Sequence, residues 1–217
     1  MAQKKGHKNR SVGFMPAKVN PEEQKSFLET VLKPLIEKAK NYEIELFFMD
    51  ASHFVMGGFC GKIWGKVRVW IRTASGRKRF NVLGALNFVT KKMTTITNST
   101  YITSIQVMEM LDKLASENIG STIKIILDNA SYQRCVAVTE YAEKLGIELV
   151  FLPSYSPNLN LIERVWKFVK SQILNAAYIE TFDNFCVKIS LFVDSLATLN
   201  PDKMDSLVTD RFQLFSA

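Results

Sequence analysis

Ile123-Lys124-Ile125-Ile126-Leu127-Asp128 and Ile147-Glu148-Leu149-Val150-Phe151-Leu152 are two short apolar runs, separated by a segment of helical periodicity that ends at Gly146. Runs this short, rich in β-branched residues, read as buried strands. Two strands joined by a helix imply parallel pairing through a crossover. Gly146 suits the left-handed residue that closes a helix. The unit therefore predicts strands over 122–127 and 147–152 and a helix over 131–145.

The same patterns extend outward. Ile44 to Met49 is a third buried strand, ending at Asp50. Residues 67–72 alternate as a half-exposed strand does, 74–77 form a turn with a basic tip, and 80–88 read as the returning strand. A short strand fits 93–96 and an amphipathic helix fits 103–118. Further helices fit 161–175 and 182–196. Near the start, Asn20-Pro21-Glu22-Glu23 reads as an N-cap, a first-turn proline and two acids suited to the helix dipole. Phe27, Val31, Leu35 and Ala39 make its apolar stripe, and Pro34 should kink or split it. The fold class is α/β, a mixed sheet flanked by helices.

Composition narrows the function. The 217 residues are 47% apolar, enough for one globular domain with an extension. No apolar run reaches the roughly 18–20 residues of a membrane span, and the polar, basic start is not a secretory signal. The cysteines Cys60, Cys135 and Cys186 are far apart without zinc-ligand spacing, as in a reduced, cytoplasmic protein. With only His7 and His53, a site of two or more core histidines is almost excluded.

The net charge of +7 is unevenly spread. Residues 1–20 hold five basic side chains and no acidic one. Between Ala51 and Met108 stand nine more (Lys62, Lys66, Arg68, Arg72, Arg77, Lys78, Arg79, Lys91 and Lys92), again with no acid. The rest of the chain is net acidic. Such segregation points to a polyanion, most simply nucleic acid, against the plainer reading of a solvated basic face.

Three acids stand out. Asp50 and Asp128 end apolar strands, where ligands of such sheets gather. Glu163 opens a helix after a Pro/Asn-rich loop, with 34 residues between it and Asp128. Bare carboxylates converging on one point are what hard divalent ions need. Two such ions can activate a nucleophile and stabilise the leaving oxygen in phosphodiester chemistry. Singly, each acid also reads as a turn, cap or first-turn residue.

Leu127-Asp128-Asn129-Ala130, Phe151-Leu152-Pro153-Ser154-Tyr155-Ser156-Pro157-Asn158-Leu159-Asn160, Ile162-Glu163 and Trp166 closely resemble the DDE transposases, specifically the bacterial insertion-sequence group related to mariner elements. Phe48-Met49-Asp50-Ala51-Ser52-His53-Phe54 matches that family's first acid, and the spacing from Asp128 to Glu163 is typical of the group. The resemblance runs from about residue 42 to 175. It implies an RNase H-like mixed five-stranded sheet flanked by helices, with Asp50, Asp128 and Glu163 as catalytic residues and metal ligands. It implies two Mg2+ ions, replaceable by Mn2+, and cleavage and strand transfer of double-stranded DNA, both element ends and target. A homodimer and nucleoid association are implied too.

Two departures are Gln133, where many relatives have His, and Leu161, where they have Pro. Too few residues precede Asp50 for the usual helix-turn-helix module, so the chain looks like a catalytic half, served by a separate helix-turn-helix recognition protein. The expected organisation is a basic arm and linker helix over 1–41, the catalytic domain over 42–180 and a helical extension over 181–217. Rival readings are an idle truncated relative that binds DNA or dimerises as a regulator, and a different RNase H-like nuclease.

Other residues keep two readings each. Arg77, Lys78 and Arg79, at an expected hairpin tip, suit a grip on DNA backbone. Lys167 and Lys170 could meet phosphate or be solvated. Asn129 and Asn160 could steady the acids or contact phosphate, or cap helices. Trp166 could pack under the site or simply fill the core. His53 could contact phosphate or be structural.

Overall fold

The computed structural model describes residues 17–57, 66–67, 70, 78–174 and 179–214. The chain opens with α1 (Pro21–Phe27), a π-helical segment (Leu28–Leu32) and α2 (Lys33–Lys40). Asn20 caps α1 by accepting from the Glu23 N–H at 3.2 Å. Pro34 sits in the first turn of α2, and the Lys33 N–H reaches back to Leu28 O in the wider π spacing. A proline without an N–H and with a ring that crowds the preceding turn is accommodated by this local widening. The widened turn also rotates the buried stripe, which is Leu28, Leu32, Leu35, Ile36 and Ala39; the expected Phe27 and Val31 are only partly buried.

Five strands follow among the described residues: β1 (Glu45–Val55), β2 (Arg79–Asn87), β3 (Met93–Asn98), β4 (Ile123–Leu127) and β5 (Ile147–Phe151). They form one sheet in the order β3-β2-β1-β4-β5. β1 pairs antiparallel with β2 and parallel with β4; β3 is antiparallel to β2, and β5 parallel to β4. The mixed sheet is the one expected, with one revision. β1 does not stop at Asp50 but continues to Val55, because β2 supplies hydrogen-bond partners along its whole length. The strand that returns over 79–87 therefore returns along β1; the expected strand over 67–72 and turn over 74–77 lie almost wholly outside the described residues.

Helix α3 (Ser104–Glu117) begins with a capping box between Thr103 and Gln106. The helix between β4 and β5, α4 (Val136–Lys144), starts five residues later than its periodicity suggests. Residues 130–134 turn instead, with the Gln133 and Arg134 N–H groups both donating to Ala130 O. Gly146 follows α4 at φ 70°, as expected of a closing glycine. After β5 come a short 3-10 turn (Pro157–Leu159), α5 (Ile162–Ile173), α6 (Phe182–Asp194), α7 (Leu196–Leu199) and α8 (Pro201–Leu207).

Strand alternation divides the core in two. Phe47, Met49, Leu83, Ala85, Ile125 and Leu127 face α3 and α4. Leu46, Phe48, Phe54, Val82, Leu86 and Ile126 face the other way, against α5, α6, α8 and the N-terminal helices. Asp50 shares its alternation with Phe48 and Phe54, and Asp128 with Ile126, so both belong to the α5 face. Among the described residues no helix is long and apolar enough to cross a membrane.

Candidate active site

Register creates the first half of the site. The parallel ladder of β1 and β4 ends with Met49 opposite Leu127. Asp50 and Asp128 are each the next residue, so they stand side by side where the parallel pairing ends; neighbouring strands lie about 4.8 Å apart. Asp50 thus marks the end of the parallel pairing, not the end of its strand.

The second half comes from α5. Trp166 is 1% exposed and packs edge-on to Phe54, with ring centroids 6.3 Å apart. Its ring lies over Gly84, the residue paired with Asp50. Only a glycine fits there: a Cβ would stand 2.6 Å from Trp166 Cζ2. Glu163 is three residues before Trp166 on the same helix face, so docking the ring beneath Asp50 brings Glu163 to the two aspartates.

The acids sense one another. Burial, then the charges of Glu163 and Asp128, push the Asp50 carboxyl up to about 8. Burial also raises Asp128, partly opposed by a hydrogen bond from Asn160. Glu163 is raised chiefly by burial and further by Asp128, while Lys167 and Lys170 pull it down. Lys170 acts on Asp50 in the same sense. Its Nζ lies 5.8 Å from the Phe54 ring centroid.

Asn160 joins these parts. It is fully buried, and its Nδ2 lies 3.2 Å from Met49 O and 3.4 Å from Asp128 Oδ1. Its carbonyl accepts from the Glu163 N–H at 3.2 Å. One residue therefore touches the strand before Asp50, the Asp128 side chain and the first turn of α5. Leu161, at the N-cap position, has no capping side chain.

Among the described residues, no group of three or more His, Cys, Asp and Glu side chains is drawn together tightly enough to hold a metal ion. The chemistry of the donors is nonetheless of one kind. Three partly buried carboxylates, all raised in pKa by burial and two of them, Asp50 and Glu163, also by neighbouring acids, lie beside a buried Asn160 Oδ1 that lacks a hydrogen-bond partner. An all-oxygen, net negative set fits a hard divalent cation and not a thiophilic one.

The remaining expected residues divide. Lys167 and Lys170 join the acids. Asn129 does not cap α4; its Nδ2 donates to Leu152 O, which leaves the helix to start later. Lys78 and Arg79 are exposed at the start of β2, where Met56 N–H donates to Lys78 O. They lie five (Arg79) and six (Lys78) residues before Gly84, roughly 17–20 Å from the acids by strand rise. Lys78 Nζ stands 5.4 Å from the Phe182 ring centroid. Arg77 lies outside the described residues. His53 alternates onto the opposite face from Asp50 and pairs with Asn81 Oδ1 at 2.8 Å. Gln133 is 0% exposed, and neither its Nε2 nor its Oε1 has a hydrogen-bond partner.

Three features escape the sequence patterns. Tyr132 faces the aspartates: burial, then Asp50 and Asp128, push its hydroxyl up to about 12. Gly84 had a usable signal, a lone glycine inside an apolar strand. Gln24 had one too, a polar residue heading the i, i+4 stripe of Leu28, Leu32 and Ile36.

A family model described as DDE superfamily endonuclease matches residues 45–186. No curated protein sequence matches the chain. The structure is similar to the Mos1 strand transfer complex, with a TM-score of 0.64 at 13% identity over 98% of this chain and 68% of that one. It is similar to the Mos1 mariner paired end complex with Mn, with a TM-score of 0.64 at 12% identity over 98% of this chain and 69% of that one. The paired end complex with Mg gives a TM-score of 0.57 at 14% identity over 97% and 68%. At these identities the likeness shows the shared fold.

Proposed function

The chain belongs to the DDE superfamily of endonucleases and has the RNase H-like fold; from that premise we propose that it is a transposase catalytic domain, cleaving DNA at an element end and joining the freed 3′-hydroxyl to target DNA. One observation carries the reading: the Met49–Leu127 register sets Asp50 and Asp128 side by side, on the face where α5 presents Glu163.

In this reading Asp50, Asp128 and Glu163 hold two Mg2+ ions, with Mn2+ able to replace them. Bound there, the ions would supply charge neutralisation at the phosphate and activation of the attacking oxygen. The similar Mos1 complexes contain Mn or Mg and support this choice. The chain's own residues prepare the site. The end of the β1–β4 pairing fixes the two aspartates before substrate arrives, so little reorganisation remains for the reaction. Asn160 donates to Asp128 and keeps it oriented. Trp166 and its neighbours close the floor against water. Lys167 and Lys170 place positive charge beside the acids, where a phosphodiester backbone must pass. The partners of this reading are double-stranded DNA, a second copy of the chain and a separate helix-turn-helix recognition protein.

The test is Asp128→Asn. The purified wild type should nick element-end DNA with Mg2+, and the variant should lose that activity while keeping its fold by circular dichroism. Undiminished nicking by the folded variant would refute the assignment.

A further inference from the structure

Helix α1 sends a side chain into the loop that leads to Asn160 and Glu163. Gln24 is 0% exposed, and the polar partners of its side chain all lie in that loop. Its Nε2 donates to Ser156 Oγ at 2.9 Å and lies 3.3 Å from Asn158 Oδ1 and 3.4 Å from Tyr155 O. Its Oε1 accepts from Asn158 Nδ2 at 3.1 Å, which makes a reciprocal pair of carboxamides. A buried carboxamide is costly unless its hydrogen bonds are made, so this helix and this loop specify each other.

The loop they hold is strained. Tyr155 has φ 58°, a left-handed conformation that costs a non-glycine residue about 1–2 kcal/mol. Gln24 bonds at that residue's own carbonyl, Tyr155 O, and at the next residue, Ser156. From there the 3-10 turn over Pro157–Leu159 leads directly to Asn160. Asn160 then contacts Asp128 and Met49 O and accepts from the Glu163 N–H. The path from Gln24 to two of the three acids is hydrogen-bonded or covalent throughout and crosses a single loop. The tail of the chain is tied in as well, since Asn158 Nδ2 donates to Gln213 O at 2.9 Å.

We infer that Gln24, paired with Asn158, is a positioning residue for DNA cleavage: it holds residues 155–160 in the shape that sets Asn160 against Asp128 and starts α5 at Glu163. The inference rests on the acids being the catalytic groups. It makes the N-terminal helix part of the catalytic scaffold, whereas a plain fastening role would leave the chemistry unaffected once the chain is folded.

The experiment uses the full chain with Gln24→Met, Asn158→Leu and both together. Gln24→Met keeps the length and apolar bulk of the side chain and removes every hydrogen bond. If one variant fails to fold, the other breaks the same pair from the opposite side. Each single variant should lower kcat for Mg2+-dependent nicking by about 10–100-fold, the scale expected for an ångström-level misplacement. DNA affinity and KM should stay unchanged, and the double variant should lose no more than the worse single one. Hydrogen exchange at residues 155–163 should quicken while that of α3 and α4 stays constant. Folded variants with wild-type kcat and a merely lowered melting temperature would overturn the inference. If the wild type itself does not nick DNA, the reading of the acids has failed separately. Exchange then decides this inference: faster exchange at 155–163 supports the clamp, and unchanged exchange rejects it.

Discussion

Gly84→Ala adds one methyl group at the point where the sheet, Trp166 and Asp50 meet. The new Cβ would stand 2.6 Å from Trp166 Cζ2, 2.9 Å from Cη2 and 2.7 Å from Met93 Cε. Ordinary carbon contacts are about 3.5–4.0 Å, so both neighbours must retreat by about 1 Å. The Met93 methyl ends a flexible side chain and can rotate away. The Trp166 ring cannot, because it is 1% exposed and pinned edge-on against Phe54. Overpacking of this kind costs about 1–3 kcal/mol. Restricting the unfolded chain returns about 0.4–1 kcal/mol, which leaves a net loss of about 1 kcal/mol from the middle of the two ranges and at most about 2.6 kcal/mol. For a chain of this size, each 1 kcal/mol is a fall of about 2–4 °C in melting temperature. Activity should suffer more than stability. A ring that recedes carries α5 with it, and Glu163 is one turn away. A shift of about 1 Å at Glu163 can cost about 100-fold in rate. Urea unfolding followed by tryptophan fluorescence, with nicking measured well below the transition, gives both quantities. Adding Trp166→Phe should recover stability, because the smaller ring vacates the space. If Gly84→Ala leaves both stability and nicking at wild-type values, the close approach does not position Glu163 and the geometry given for the site is wrong.

Three further outcomes are expected. The Asp50 carboxyl stands at about 8 against an ordinary 3.8, so the folded chain holds a proton that the unfolded chain has released. That group's contribution to stability is therefore full below about pH 4 and is lost as pH rises towards 8. In chelator, melting temperature should fall over this window, Asp50→Asn should flatten the fall, and Mg2+ should restore stability most at the alkaline end; an Asp50→Asn profile identical to wild type would contradict this. Asn160→Ala removes a donor that lowers the Asp128 pKa, so the acidic limb of the pH–rate profile should move to higher pH and kcat should drop; an unmoved limb would show that the hydrogen bond does not reach the reacting state. Replacing Lys167 and Lys170 with Ala should reduce the slope of log affinity against log salt by about 2, one for each phosphate that is no longer neutralised. An unchanged slope would return both lysines to the solvated reading.

What could be read from the sequence was local. The apolar runs ending at Asp128 and Leu152, with a helix and a closing glycine between them, announce a parallel pair because each signal lies within a few residues of its consequence. The register that sets Asp50 beside Asp128 is only half visible in the apolar run before Asp50. The segment Ala51-Ser52-His53 looks like the exit from a strand, yet β2 pairs with it residue for residue and extends β1 to Val55. Pairing partners distant in sequence decide strand length, and no local pattern reports them. The start of α4 failed similarly: Asn129 looks like a cap until Leu152 O, 23 residues away, claims its side chain. Gln24 is the extreme case, since its partners lie more than 130 residues on.

The position of the three acids also bears on why they are there. A structural carboxylate usually lowers its own free energy by an ion pair or by backbone donors, and its pKa falls. Lys40 and Asp210 at the surface of this molecule behave so, each stabilising the charged form of the other. Asp50, Asp128 and Glu163 go the opposite way: all three are raised, burial is the largest cause for each, and the lysines beside Asp50 and Glu163 and the Asn160 hydrogen bond to Asp128 compensate only in part. Three neutral side chains of similar size would pack there at lower cost. Perturbed groups that burden the fold cluster where function requires them. Here the requirement has a definite sign, since a bound cation would stabilise the charged forms that burial makes expensive. The acids on α1 and α2 face solvent and carry no comparable implication.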